Sequence, residues 1–66
     1  MTIAEIQFHI GHVYELQQKY HDARRMYDQV LSDDSKTNEI ASATHTTLGK
    51  IFWLTALRNF YNFDSW

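Results

Sequence analysis

The strongest constraint on this chain is the near absence of residues that interrupt helices. It has no proline, and its only two glycines among 66 residues are Gly11 and Gly49. Proline and glycine are the residues that most often end a helix or form a turn. Only polar connectors remain to separate regular segments, so the sequence predicts an all-α fold.

The length and charge of the chain narrow the classes of function. A chain of 66 residues forms one small domain, which buries only about 60% of the surface that its unfolded state exposes. There is no cysteine, so no disulfide is predicted and nothing indicates an oxidising compartment. The formal charge is −2 and the six lysines and arginines are scattered, which argues against nucleic acid as a partner.

Neither a membrane span nor a secretory signal is predicted. The longest apolar stretch, Ile51 to Leu57, includes Thr55 and is far shorter than the roughly 20 residues that a bilayer requires. The first residues, Met1 to Glu5, lack the basic start and the apolar run of a signal peptide. We therefore expect an intracellular, soluble protein with no membrane partner.

Apolar residues near the start of the chain recur at helical spacing. Thr2 and Glu5 form a capping-box pattern, in which a hydroxyl and a carboxylate satisfy backbone donors at a helix start. The spacing predicts a first helix over residues 3–17. The residues of this helix that we expect in the core are Ile3, Ile6, Ile10, Val13 and Tyr14.

A second helix is predicted from His21 or Asp22 to Leu31. Asp22 would lie near the positive end of its dipole. The connection to the first helix is short and polar, so the two helices must be antiparallel and share their apolar sides. The residues of the second helix that we expect in the core are Ala23, Met26, Tyr27, Val30 and Leu31.

The clearest break in the chain lies between residues 32 and 36. It contains Asp33 and Asp34, which are poor helix formers because they compete for backbone hydrogen bonds. Thr37 or Asn38 can cap a third helix, which we expect to end at Leu57 or as late as Phe60. Its expected core residues are Ile40, Ala43 or Thr44, Thr47, Leu48, Ile51 and Phe52.

One short pattern occurs twice, in residues 9–14 and 47–52. In each copy an aliphatic residue precedes a glycine, an aliphatic residue follows two positions later, and an aromatic residue follows three positions later. Glycine inside a helix costs about 1 kcal/mol relative to alanine, so Gly11 and Gly49 each need a physical reason. Close approach of the following helix supplies one, and the repetition predicts that one helical unit begins twice.

These features resemble the tetratricopeptide repeat, in which two antiparallel helices carry a Leu-Gly pair and an aromatic residue, then an alanine and an aromatic residue. The residues at the matching positions are Ile10, Gly11, Tyr14, Tyr20, Ala23 and Tyr27. Two positions depart from the family, since Gln7 stands where tryptophan is frequent and Ser35 where proline is usual. The distance between the two glycines exceeds the family's period of about 34 residues by about four, which fits an enlarged loop around residues 33–37.

The resemblance implies a division of the chain into three parts. Residues 1–35 would form the helical hairpin of a first repeat, and residues 36–60 the first helix of a second, incomplete repeat. Residues 61–66 would form an aromatic tail. Nothing after Trp53 shows the alanine-then-aromatic pattern of a second helix.

A longer stretch, from Ala4 to Gly49, resembles a repeat of the UTX/UTY-type histone lysine demethylases, whose amino-terminal half is a tetratricopeptide array. The resemblance is carried by residues 4–10, Tyr14-Glu15 and Lys19-Tyr20. It implies a scaffold in the nucleus, associated with chromatin. The iron and 2-oxoglutarate chemistry of that family belongs to a separate domain, which 66 residues cannot hold, so no catalytic residue and no cofactor are expected here. Residues 54–66 could be foreign to the family, as in a truncated isoform made by splicing or readthrough.

In tetratricopeptide arrays the first helix of each pair lines the concave face that binds protein or peptide segments. The partner-binding residues that the resemblance implies are Glu5, Phe8, His9, His12, Glu15, Leu16, Lys50 and Trp53. Phe8 lies off the row of isoleucines, so it either lines the groove or packs under a neighbouring repeat. Phe8, His9 and His12 cannot hold a carboxylate as Lys, Asn and Arg do, so we do not expect the subclass that binds chaperone tails.

Residue patterns for other chemistry are weak. His9 and His12 are three residues apart, whereas zinc pairs on a helix are usually four apart and have a third ligand, so we expect no metal site. The acidic segment 33–39 lacks the glycine and the distal glutamate of a calcium loop. No serine lies in a setting typical of a nucleophile. The sequence therefore gives no support for an enzyme.

Aromatic residues concentrate at the end of the chain: Phe52, Trp53, Phe60, Tyr61, Phe63 and Trp66. Three short helices cannot cover them all. They could form a docking surface for a further repeat or a partner, fold back over the core, or form an adventitious apolar tail. Two hypotheses for function follow, an interaction module and an incomplete fragment that self-associates because its last repeat lacks a polar cap.

Overall fold

Three helices make up the computed structural model, which describes the backbone of residues 1–64 and the side chains of residues 1–60. Helix α1 is Ile3–Leu16, α2 is Tyr20–Ser32 and α3 is Asn38–Asp64. Helices α1 and α2 pack together as a hairpin, and α3 packs mainly against α2. The prediction of an all-α fold is confirmed, since residues 1–64 contain no strand.

Side-chain hydroxyls begin two of the helices where the sequence predicts. Thr2 Oγ1 accepts a hydrogen bond of 3.1 Å from the backbone N–H of Glu5, and so caps α1. Thr37 Oγ1 accepts one of 3.1 Å from the backbone N–H of Ile40, at the first turn of α3. Each bond satisfies one of the backbone donors that a helix start leaves without a partner.

The turn between α1 and α2 is held by a residue in the left-handed region. Gln18 has φ 61°, a value that favours glycine. Its N–H donates to the carbonyl of Glu15 at 2.9 Å, and the N–H of Lys19 donates to the carbonyl of Tyr14 at 2.9 Å. These two bonds form a Schellman motif, which closes the helix within three residues.

The loop between α2 and α3 is tied to the start of α1 through Ser35. Its hydroxyl accepts a hydrogen bond of 3.1 Å from the N–H of Ala4 and donates one of 2.6 Å to Asp33 Oδ1. The N–H of Ser35 donates to the same oxygen at 2.8 Å. The hydrogen bonds from the Ser35 hydroxyl and then the Ser35 N–H lower the pKa of Asp33 below its ordinary value, with a smaller lowering effect from the charge of Lys36 that desolvation outweighs. Ser35 therefore links the start of α1 to the residue that follows α2.

The core lies between the facing sides of the three helices. Its fully buried residues are Ala4 and Gly11 of α1, Ala23, Tyr27 and Val30 of α2, and Thr44 and Ile51 of α3. The predicted core side of α2 is confirmed, with Met26 and Leu31 half-buried beside it. The Thr44 hydroxyl donates to the Ile40 carbonyl at 2.7 Å, so its burial leaves no donor unsatisfied.

The predicted core side of α1 is wrong for four of its five residues, since only Tyr14 packs against the buried core cluster. Ile3, Ile6, Ile10 and Val13 are 60%, 45%, 41% and 50% exposed, and α1 instead turns its small residues toward α2. Each residue advances about 100° around a helix, so a face centred on Gly11 lies well away from the isoleucine row. The large ring of Tyr27 sets this rotation, because only the small side of α1 leaves room for it.

Two details of α3 differ from expectation, the exposure of Phe52 and the end of the helix. Phe52 is 71% exposed rather than buried, whereas Thr44, one of the two predicted alternatives, enters the core. The helix continues to Asp64, four residues past the latest predicted end at Phe60. Residues 61–64 of the predicted tail are thus helical, while the side chains of residues 61–66, on which the crowding of aromatic rings partly depends, lie outside the described residues.

The helices differ in how far they extend from the shared core. The longest dimension of the molecule is 46 Å and the other two are 18 and 15 Å. The 27-residue α3 is about twice as long as α1 or α2. None of the helices in the described part of the chain is both long enough and apolar enough to cross a bilayer.

Candidate partner-docking surface

Gly11 is the contact point between α1 and α2, as the repeat pattern predicts. A Cβ atom on Gly11 would lie 2.8 Å from Tyr27 Cε1, 3.0 Å from Cδ1 and 3.1 Å from Cζ. The Phe8 ring lies beside Tyr27 with 5.6 Å between ring centroids and a tilt of 52°. Any side chain at this position would therefore press on the ring of the next helix, which lies directly on the backbone of α1.

Glu15 connects all three helices through one carboxylate. Tyr27 Oη of α2 donates a hydrogen bond of 2.9 Å to Glu15 Oε1, and Lys50 Nζ of α3 lies 3.3 Å from Glu15 Oε2. His12 Nδ1 lies 4.0 Å from Oε1. The Glu15 side chain is only 12% exposed, so these contacts hold it at the junction of the helices.

The environment of Tyr27 keeps its hydroxyl protonated. Burial contributes most, followed by the hydrogen bond to Glu15 and the negative charge of that carboxylate, and together they raise the pKa of Tyr27 well above its ordinary value. The protonated hydroxyl is the donor that Glu15 needs. This pair therefore supports the fold rather than a reaction.

The implied partner-binding residues do not share one surface. Phe8 and Glu15 point toward α2, and Glu5 is half-buried at the start of α1. The exposed members of the set are His9, His12, Leu16, Lys50 and Trp53. Phe8 packs on Tyr27 of its own hairpin, which is neither of the two alternatives predicted for it.

An open groove that the sequence did not predict separates the start of α2 from the second half of α3. Its volume is about 930 Å³, and its lining includes Tyr20 of α2 together with Leu48, Gly49 and Phe52 of α3. Tyr20 and Leu48 pack against the buried core cluster, so the groove has an apolar floor. The feature of the sequence that marks this groove is the second glycine-centred pattern, at Gly49.

Gly49 lies on the side of α3 that borders the groove, and no neighbour fills it. A Cβ atom there would meet nothing within 4 Å. Phe52 and Trp53 follow in the next turn and are 71% and 64% exposed. We use the term α3 docking face for Gly49, Phe52, Trp53 and Ala56, which are all exposed.

A second apolar surface lies on α1. The isoleucine row, which we define as Ile3, Ile6, Ile10 and Val13, is largely exposed, and Leu16 extends it at 71% exposure. The row spaces its members three and four residues apart, as in helices that pair along a seam. The first and the last helix of the hairpin-plus-α3 arrangement therefore each present apolar side chains to solvent.

Ligands for a metal do not converge in the described residues. Within that part of the chain no group of three or more His, Cys, Asp or Glu side chains could hold an ion. His9 lies against the edge of Phe8, with 6.2 Å between ring centroids, and His12 lies beside Glu15. The arrangement of these residues suits packing and surface contact.

No protein-family model matches this chain. No solved structure matches it.

Proposed function

We propose that this chain is a non-catalytic tetratricopeptide-type scaffold that binds protein segments, and that the α3 docking face is the surface it uses. The contrast between its two glycines is the observation that carries the proposal. Gly11 is filled by Tyr27 from the following helix, whereas nothing lies within 4 Å of a Cβ on Gly49. A partner helix that presents a ring to Gly49 would complete the second unit as α2 completes the first.

The groove beside Gly49 suits an amphipathic helix. Its floor is apolar at Leu48 and Ile51, and charged residues of both signs, such as Arg24 and Asp28, line it from α2. A helix with one apolar row and charged flanks matches such a groove. The proposed ligand is therefore a helical protein segment rather than a small polar molecule.

The resemblance to UTX/UTY-type proteins supports a narrower form of the proposal. In this form the partner is a nuclear, chromatin-associated protein, and the chain supplies contacts but no iron or 2-oxoglutarate chemistry. The support is the sequence pattern from Ala4 to Gly49. The pairing of Gly11 with Tyr27 agrees with the close helix contact expected at that glycine.

Photo-crosslinking tests the proposal directly. A photoreactive phenylalanine placed at Phe52 should capture protein partners from nuclear extract, and Trp53→Ala should remove most of that capture. The same probe at Arg25, an exposed residue of α2 that does not line the groove, is the matched control. Equal partner sets from the two positions, or capture unaffected by Trp53→Ala, would contradict the assignment of the docking face.

A second candidate function is supported by the exposure of both apolar surfaces. An incomplete array with the isoleucine row at one end and the α3 docking face at the other would self-associate without a specific partner. Sedimentation over a range of concentrations tests it, because association of this kind grows without limit and resists single substitutions. A monomer at high micromolar concentration would exclude it.

A further inference from the structure

We propose that a second copy of this chain occupies the α3 docking face, forming a two-fold antiparallel pair of α3 helices. The inference rests on the docking face proposed above and names one occupant for it. Six exposed residues form a row along α3 at alternating spacings of three and four. They are Ser42, His45, Gly49, Phe52, Ala56 and Asn59. This spacing is that of the contact seam between two paired helices.

The row is complementary to itself about the midpoint between Lys50 and Ile51. A two-fold axis at that point pairs every residue of the row with another residue of the same row in the second copy. The facing pairs are Gly49 with Phe52, His45 with Ala56, and Ser42 with Asn59. Each pair joins a smaller side chain to a larger one, so the two surfaces interlock as an isologous interface requires.

The chain already contains the contact that this pairing would form. At Gly11 an aromatic ring from an adjacent helix lies 2.8 Å from the position of a Cβ. Gly49 offers the same gap, and the Phe52 ring, at 71% exposure, is available to fill the gap of the other copy. The two-fold pair would therefore contain two copies of the glycine–ring contact that joins α1 to α2.

Charge does not oppose the approach of two copies along this row. The six residues include no lysine, arginine, aspartate or glutamate. Lys50, which lies next to the proposed axis along the chain, directs its amine to Glu15 of α1 at 3.3 Å. The one cation near the centre is therefore held by its own molecule.

The isoleucine row of α1 is the competing surface for a second copy. Its four members are all β-branched aliphatic residues, so none provides a gap opposite a larger partner. Such a surface can take many apolar helices but does not fix one register. The α3 row specifies both orientation and register, which favours it.

The area available indicates a weak dimer. Aromatic side chains bury about 150–250 Å² each, so the four rings of Phe52 and Trp53 in a pair bring roughly 400–650 Å² at their observed exposure. The neighbouring small residues and the groove walls add to this. The four rings alone supply about half of the lower limit of about 1,200 Å² for specific interfaces, so a weak dimer with a dissociation constant in the micromolar range is expected.

Sedimentation of single variants tests the dimer. The wild-type chain should pass from monomer to dimer between about 5 and about 500 µM, and both Phe52→Ala and Gly49→Ala should weaken the dimer at least about tenfold. Ile6→Ala on α1 is the control and should leave the association unchanged. A monomer throughout that range, or a dimer that Ile6→Ala weakens and Gly49→Ala does not, would overturn the proposal.

Cysteine pairing tests the orientation, because the natural chain has no cysteine. Mixing His45→Cys with Ala56→Cys under mild oxidation should give the mixed disulfide much faster than either variant forms its own, since only the mixed pair faces across the axis. Faster disulfides within each separate variant would indicate a parallel pair and refute the antiparallel one. If neither test finds the dimer but Trp53-dependent crosslinking to other proteins remains, this inference fails and the proposed function stands.

Discussion

Adding one methyl group at each glycine should have opposite effects on the two units of this chain. Alanine is the better helix former by about 1 kcal/mol, so the substitution alone favours the folded state at either position. At Gly49 nothing opposes that gain, because no atom lies within 4 Å of the new Cβ. Gly49→Ala should therefore stabilise the monomer by about 0.5–1 kcal/mol.

At Gly11 the same methyl group meets the ring of Tyr27. The ring atoms lie 2.8–3.1 Å from the Cβ position, the residue is fully buried, and its hydroxyl is bonded to Glu15. Phe8 packs beside the ring and limits its movement. Overpacking of this kind costs about 1–3 kcal/mol, so after the helix gain Gly11→Ala should destabilise by up to about 2 kcal/mol.

Thermal unfolding followed by circular dichroism measures the contrast. For a domain near this size about 1 kcal/mol shifts the midpoint by roughly 4–8 °C, so a difference of about 0.5–3 kcal/mol should separate the midpoints of the two variants by at least about 2 °C. The measurement is made at low micromolar concentration, so that self-association contributes nothing. Equal midpoints, or a more stable Gly11→Ala, would show that Tyr27 does not press on α1 as described.

Three further changes test the turns and the buried tyrosine. Gln18→Gly should stabilise the chain by about 1 kcal/mol in urea unfolding, because Gln18 has φ 61° and glycine adopts that region without strain. The pKa of Tyr27 is raised in the folded state, so its contribution to the free energy of unfolding is complete below pH about 10 and falls by about 1.4 kcal/mol per pH unit above it. Stability of the Tyr27→Phe variant should lack this part of the decline at alkaline pH. Ser35→Ala should cost about 1 kcal/mol, because the N–H of Ala4 loses its acceptor. Asp33 has a lowered pKa when folded, so the wild-type chain loses stability as pH falls through that pKa, and acid titration of Ser35→Ala should show a flatter profile.

The order and type of the elements follow from local sequence. Thr2 and Thr37 cap helices as their positions predict, and the spacing of Ala23, Tyr27 and Val30 places the core side of α2 correctly. These features depend on residues within one turn of each other. Local information is sufficient to specify them.

The rotation of α1 depends on a distant residue. Hydrophobic periodicity favours burial of the isoleucine row, yet the Tyr27 ring requires the side of α1 that carries Gly11. Close approach of α2 at Gly11 is incompatible with a core centred on Ile6 and Ile10, because those residues lie on another face of α1. The space that the Tyr27 ring occupies therefore determines which side of α1 is buried, rather than the amount of apolar surface on that side.

The candidate site was harder to predict for a related reason. The resemblance implies that Phe8 and Glu15 lie on a partner-binding face, whereas Phe8 packs on Tyr27 and Glu15 contacts Tyr27 and Lys50, which are distant in sequence. Which side of a helix remains open depends on where the other helices stop. Gly49 is the local clue, since it repeats the pattern of Gly11 but no neighbouring side chain lies on it.

The shared carboxylate of Glu15 has a consequence for how the molecule opens. If α3 separates from the hairpin, Glu15 loses its ion pair with Lys50 but keeps its hydrogen bond from the Tyr27 hydroxyl. The Glu15 carboxylate therefore still has a hydrogen-bond donor within the hairpin. The lost ion pair involves a lysine side chain that is 65% exposed, and such pairs contribute only about 0–1 kcal/mol. Backbone amides of α3 should therefore exchange with deuterated solvent ahead of those in α1 and α2, as two separate opening units rather than one.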